Sequence, residues 1–189
     1  MKKFLETIRN IWKIEELRSR ILYTLGILLV YRLGTHVVLP GIDPTRLANL
    51  QQPSGNIMDI INLFTGGAFA RASIFGLGIM PYISATIIIQ LLGIAVPYFQ
   101  RLQREGESGR RKINQISRYL TLGILLLQGP AYIASLTGQL PPDAFSPQFS
   151  KFGSVILLAS GTMFIMWLGE RITDKGIGNG ISLIIMIGI

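Results

Sequence analysis

The side chains that usually carry enzyme chemistry are few in this 189-residue chain and are poorly grouped. His36 is the single histidine, cysteine is absent, and the ten carboxylates form neither an HExxH nor a paired-acid motif. The glycine string GIGNG at 176–180 lacks the GxGxxG spacing of a nucleotide loop, and we interpret it as a flexible turn. We therefore expect no catalytic residue, no metal and no cofactor, and the chain is not expected to be an enzyme.

The composition instead indicates a membrane protein, because 49% of the residues are hydrophobic and only 15% are charged. Four long apolar stretches each approach the roughly 20 residues that a helix needs to cross about 30 Å of hydrocarbon. We therefore predict an all-α fold, a polytopic transmembrane helical bundle. The predicted spans are 21–39, 74–96, 119–136 and 152–168, with the start of a fifth at 181–189.

The two ends of the chain carry separate expectations. Residues 1–20 mix charges with apolar residues at helical spacing, which predicts an amphipathic helix on the membrane surface and no removable signal peptide. The last apolar run is nine residues long and would cover only about 14 Å. We therefore expect a longer protein to contain this sequence, with a surface or re-entrant segment as the alternative.

The chain has a net charge of +8, and most of its basic residues lie in three segments, 1–20, 98–118 and 169–180. Because Lys and Arg collect in cytosolic loops, these segments predict a cytosolic N-terminus. The middle segment is expected to be an exposed basic loop that orients its neighbouring spans and could also contact anionic lipid, ribosomal RNA or a motor protein. Its basic residues are Arg101, Arg104, Arg110, Arg111 and Lys112.

Two features of the first half could serve a pore. A helix over 56–65 would be only about 15 Å long, so it would either enter the membrane inside a sheltered funnel or lie flat on the outer surface. Ile79, Ile83 and Ile87 share one stripe of the next span, which would face lipid or core, or form a hydrophobic constriction. An ion-coupled small-molecule transporter with a broken helix is the alternative, but it would need an ionisable group at the membrane centre. A purely structural scaffold is the third reading.

Four long strings resemble the SecY family of protein-conducting channels. They are LPGID at 39–43, INLFTGGAFARASIFGLGIMPYISATIIIQLL at 61–92, REGESGRRKINQ at 104–115 and GTMFIMWLGERITDKGIGNGISLII at 161–185. The resemblance implies a ten-helix channel of two halves, of which this chain supplies the first four helices and the start of the fifth. The implied function is to pass secretory polypeptides across the membrane and to release membrane segments laterally into lipid.

The resemblance also implies roles for particular residues. The plug would occupy 56–71 and include Ile57, Met58, Ile60, Ile61, Phe64, Thr65, Gly66 and Gly67. The pore ring would receive Ile79, Ile83, Ile181 and Ile185, and the lateral gate Ser84, Ile88 and Gln128. The implied partners are the small subunits SecE and SecG, the motor ATPase SecA, the ribosome, signal peptides and nascent chains, and membrane lipids. The implied location is the bacterial inner membrane.

Overall fold

The computed structural model describes residues 14–43, 67–68, 71–139, 145 and 150–188. The helices are α1 (Glu15–Gly34), α2 (Met80–Ala95), α3 (Pro97–Arg104), α4 (Glu107–Gln139), α5 (Lys151–Lys175) and α6 (Gly180–Gly188). Within those ranges the only strand-like pairings are two isolated bridges, Val38 with Ser73 and Ile42 with Phe145. The predicted all-α class is therefore confirmed.

Some of the helices in the described ranges are long and apolar enough to cross a membrane. By length and composition, α4 and α5 could each span a membrane, and the bent pair of α2 and α3 would be a third span if counted as one. In α1, two glutamates and three arginines fall within 20 residues. The predicted first span, 21–39, is helical only as far as Gly34.

The second predicted span begins later than its hydropathy suggests, because residues 71–79 form turns and α2 starts at Met80. Pro81 occupies the first turn of α2, where its missing N–H costs no helical hydrogen bond. The preceding turns are bonded to the chain after α1, with Leu39 N donating to Ala72 O at 2.8 Å and Ile74 N to Val37 O at 2.9 Å. This segment is thus a fixed, non-helical support.

The charge pattern predicts an exposed loop over 98–118, and this prediction is wrong in its extent. The segment is helical apart from a two-residue turn at 105–106, which separates α3 from α4. Gly106 takes φ +70° there, a conformation that glycine adopts without a steric penalty. The basic residues accordingly stand on two helices.

The interpretation of GIGNG as a flexible turn also needs correction, because α5 continues to Lys175 and the remaining turn is held on both sides. Thr24 Oγ1 accepts from Ile177 N at 3.1 Å, which ties the turn to α1. Asn179 Oδ1 accepts from the backbone N–H groups of Ile181 and Ser182 at 3.1 and 3.3 Å and so caps α6. The turn fixes the direction in which α6 leaves α5.

Two apolar cores hold these helices together. One joins α4 and α5 to the chain after α1, and its fully buried members include Leu39, Leu125 and Leu158. The other joins α1, the turns at 71–79, α5 and α6. This second core contains the predicted pore residues.

Candidate pore and gate surfaces

The four isoleucines of the predicted ring all belong to the second core or pack against it, although α2 and α6 are far apart in sequence. Ile79 is 6% exposed and belongs to the buried set, which also holds Leu28 and Ile184. Ile83, Ile181 and Ile185 are half-buried and pack against that set. We call the four residues Ile79, Ile83, Ile181 and Ile185 the isoleucine cluster.

Only part of the predicted stripe on α2 enters this cluster. Ile87, one turn beyond Ile83, is 51% exposed. The stripe therefore passes from packed core at its N-terminal end to open surface, and the isoleucine cluster lies near the start of α2. Its side chains offer no polar atom, so the cluster can exclude water and ions but cannot coordinate them.

The predicted plug lies largely outside the described residues. Ile57, Met58, Ile60, Ile61, Phe64, Thr65 and Gly66 all fall there, whereas Gly67 is described, half-buried and at φ +79°. Ala68, which follows Gly67, is fully buried in the same core as Ile79. The C-terminal part of the predicted plug therefore contacts the core around the isoleucine cluster.

The predicted gate residues lie on the neighbouring helices α2 and α4, which pack against each other. Ser84 and Ile88 are one turn apart on α2, the first half-buried and the second 39% exposed. Gln128 is exposed on α4. These three side chains are thus at least partly available to a partner outside the described residues.

A column of stacked rings, which no sequence pattern predicted, holds the support before α2. Phe75 stacks on Tyr31 of α1 at a centroid distance of 6.0 Å and on Phe164 of α5 at 6.2 Å. Phe164 stacks on Trp167 at 5.9 Å, and the Arg171 guanidinium carbon lies 5.2 Å from the Trp167 ring. We call these five residues the aromatic column. Through Phe75, the aromatic column packs the turns at 71–79 between α1 and α5.

An ion pair, also absent from the sequence predictions, joins α4 to α5. Arg118 Nε donates to Glu170 Oε1 at 3.1 Å, and Arg118 Nη2 donates to Glu170 Oε2 at 2.5 Å. The Glu170 side chain is 23% exposed and that of Arg118 47%. A bidentate pair of this kind restricts both distance and orientation between the two helices.

The predicted basic residues form a surface around the turn at 105–106. Arg101 and Arg104 are exposed on α3, and Arg110, Arg111 and Lys112 are exposed on the first turns of α4. Lys112 Nζ lies 3.8 Å from Glu105 Oε2, a distance typical of a loose surface pair. Among the described residues no group of three or more His, Cys, Asp or Glu could hold a metal ion.

Comparison with known proteins gives a consistent family. The SecY family model matches residues 73–189. Relatives described as protein translocase subunit SecY, from Buchnera aphidicola subsp. Acyrthosiphon kondoi and from Escherichia coli K12, are each 49% identical over 178 residues. These matches cover 92% of this chain but only 50% and 40% of the respective relatives. The chain thus spans half or less of the relatives' length.

Solved structures support the fold. A structure described as a protein conducting channel is matched with a TM-score of 0.60 at 22% identity, over 90% of this chain and 36% of that one. Sec61 in the canine ribosome-channel complex from the endoplasmic reticulum gives the same values. At this identity the likeness concerns the arrangement of the helices.

Proposed function

The chain belongs to the SecY family, and from this premise we propose that it is the N-terminal part of the pore-forming subunit of a protein translocation channel. Such a subunit passes secretory polypeptides across the membrane and releases membrane segments laterally into lipid. The packing of Ile79, Ile83, Ile181 and Ile185 in or against one buried core supports this proposal most strongly. The relatives do not favour an ion-coupled transporter.

The proposed mechanism makes and breaks no covalent bond. A narrow apolar constriction excludes water and ions by dewetting, because its walls provide no hydrogen-bond partner to replace an ion's hydration shell. Isoleucine side chains can change rotamer, so the same walls can yield to a passing polypeptide. The movement would be driven from the cytosolic face by a ribosome or by SecA.

In this proposal the plug at 56–71 closes the outer funnel next to the constriction. The burial of Ala68 in the core that contains Ile79 supports it, because the C-terminal part of the plug would then be anchored at the ring. The turns at 71–79 would act as a fixed support, hydrogen-bonded to the chain after α1 and packed against the aromatic column.

We assign one side of the lateral gate to α2 and α4, with Ser84, Ile88 and Gln128 facing the opening. The exposure of Ile88 and Gln128 supports this assignment, since a gate surface must be free to meet helices supplied by the remainder of the subunit. A signal peptide leaving the pore would cross between these surfaces into lipid.

The proposed setting is the bacterial inner membrane, with the N-terminus and the basic surface around 105–106 in the cytosol. SecE, SecG, SecA and the ribosome are the proposed partners. The ribosome is supported by the structural neighbour Sec61, which is described as part of a ribosome-channel complex. Lysine and arginine on α3 and α4 suit both an anionic leaflet and ribosomal RNA.

Ion leak through the resting full-length channel tests the proposed constriction. Replacing Ile79 and Ile83 together by glycine removes two apolar walls, so conductance in planar bilayers should rise. Ile87→Gly is the matched control, because it introduces a glycine into the same helix at a side chain 51% exposed. Unchanged conductance in the double variant, or an equal rise in the control, would count against the ring.

A further inference from the structure

The helix axes of α2 and α3 differ in direction by 100°, and we call the break between the two helices the corner. Val96 is extended at φ −112° and ψ 120°, and Pro97 then opens α3. Pro97 has no N–H with which to continue the hydrogen bonding of α2. The Ile94 carbonyl instead accepts from Gln100 Nε2 at 2.7 Å. The corner therefore has its own hydrogen bond, which fixes α3 nearly perpendicular to α2.

The eight residues of α3 separate into two faces. At 100° per residue, Leu102 lies between Tyr98 and Phe99 on one side of the helix, Arg104 points the other way, and Arg101 stands at the edge, about 60° from Tyr98. Leu102 is 3% exposed and packs into the protein, whereas Tyr98 beside it is 58% exposed. The Tyr98 and Phe99 rings meet edge to face at 5.5 Å. An aromatic edge thus remains open beside a buried leucine.

This aromatic edge continues an apolar surface of α2. Leu91 is 59% exposed and Ile94 76%, and both lie on the last turns before the corner. Such side chains suit the hydrocarbon of a bilayer if α2 crosses it, as the proposed function requires. A helix that leaves a crossing helix at 100° then runs along the membrane surface, where tyrosine is favoured at the headgroup level.

Resting on the proposed function, we propose that α3 is an interfacial helix bound to the phospholipid headgroup region of the cytosolic leaflet. Tyr98 and Phe99 lie at the boundary between headgroups and acyl chains, about 5–10 Å into the interface. Arg104 points into the water and Arg101 stands beside Tyr98 at the headgroup level, so both charges stay accessible. By this arrangement α3 fixes the depth at which α2 and α4 sit in the membrane.

Spin-label accessibility in the assembled full-length channel, reconstituted in lipid vesicles, tests this proposal. The chain contains no cysteine, so a nitroxide can be placed at a single Tyr98→Cys, Arg104→Cys or Ile94→Cys substitution once cysteines elsewhere in the channel are replaced. Each label is then relaxed by oxygen, which enters lipid, and by a water-soluble nickel chelate. All three positions are exposed, so labelling leaves the buried core unchanged.

The proposal predicts an oxygen-to-nickel ratio severalfold higher at position 98 than at 104, with position 94 higher still. A ratio at 98 equal to that at 104, with 94 in lipid, would overturn the interfacial assignment alone. If the label at 98 were water-exposed in vesicles and became shielded only when ribosomes were added, the aromatic edge would be a docking surface for a partner, which also overturns it. Water exposure at 94 would contradict the proposed function itself.

Discussion

The ion pair between Arg118 and Glu170 provides a quantitative test of the helix packing. Arg118→Gln removes two charge-assisted hydrogen bonds and leaves the Glu170 carboxylate, 23% exposed, without its cation. A carboxylate held in that position loses much of its hydration, so its partner contributes more than a surface lysine would. We expect this substitution to loosen the contact between α4 and α5.

The burial of the two side chains sets how much stability the substitution is expected to cost. Fully exposed pairs contribute about 0.2–1 kcal/mol, and breaking a fully buried pair costs about 3–5 kcal/mol. With Arg118 47% exposed, this pair lies between the two cases, and we expect a loss of about 1–2 kcal/mol. That corresponds to a factor of roughly 5–30 in the unfolding equilibrium.

Thermal unfolding of the purified full-length complex is the assay, applied to Arg118→Gln, Glu170→Gln and the double variant. The two single variants should lower Tm by several degrees, and the double variant should lower it by less than their sum, because both remove the same interaction. Exchanging the two residues, Arg118→Glu with Glu170→Arg, should restore part of the loss. Raised salt should reduce the difference between wild type and variants.

A second ion pair in the chain is the matched control. Arg20 Nη2 lies 2.9 Å from Glu16 Oε1, but their side chains are 49% and 77% exposed. Arg20→Gln should therefore change stability by about 0.5 kcal/mol or less. Strictly additive effects of Arg118→Gln and Glu170→Gln, or an Arg118→Gln effect no larger than that of Arg20→Gln, would refute the reasoning.

Two further substitutions, each with a control, test the close packing of α6 on α5 and the aromatic column. Gly180→Ala would drive a Cβ into a backbone carbonyl of α5, so the amount of intact subunit in membranes, measured on immunoblots, should fall. Gly123→Ala is the control. An added Cβ there meets nothing within 4 Å, so the amount should be unchanged. Equal levels would contradict the close packing of α5 and α6. Phe75→Leu should lower Tm by an amount equivalent to about 1–3 kcal/mol, from lost stacking and burial, while Phe152→Leu at a ring 77% exposed should have little effect. Similar Tm values for these two variants would count against the aromatic column.

The parts of the fold that hydropathy predicts are those for which the solvent environment decides the structure. Long apolar runs flanked by charges are constrained to be helices, so α4 and α5 follow directly from the sequence. The start of α2 does not, because 74–79 is as apolar as the helix that follows. Pro81 and the backbone hydrogen bonds to residues 37 and 39 determine where α2 begins. Such long-range bonds leave no local pattern in the sequence.

Polar segments carry a weaker structural signal than apolar ones. Charges at 98–118 indicate contact with water, but they do not distinguish a loop from an exposed helix, and arginine and lysine are good helix formers. The prediction of a flexible GIGNG turn is wrong for a related reason. Glycine suggests freedom, whereas Gly180 stands where α6 and α5 approach too closely for a side chain.

The candidate site was only partly accessible to sequence reasoning. The spacing of Ile79 and Ile83 predicts that they share a face of α2, and their packing in one core agrees with this. That Ile181 and Ile185 belong to the same ring is implied only by the family resemblance. Arg118 and Glu170 are 52 residues apart, and Tyr31 and Phe75 are 44 apart, so no periodicity could have paired them.

Crosslinking at position 83 tests the central claim, that a translocating polypeptide passes the isoleucine cluster, most directly. In the full-length channel, Ile83→Cys would be challenged with a secretory chain stalled during translocation, and Ile94→Cys, on the 76% exposed end of α2, would be the control. We expect a crosslink at 83 that requires a functional signal sequence and a much weaker one at 94. A correctly assembled channel that stalls the chain but gives no crosslink at 83, or gives equal crosslinks at both positions, would contradict the account.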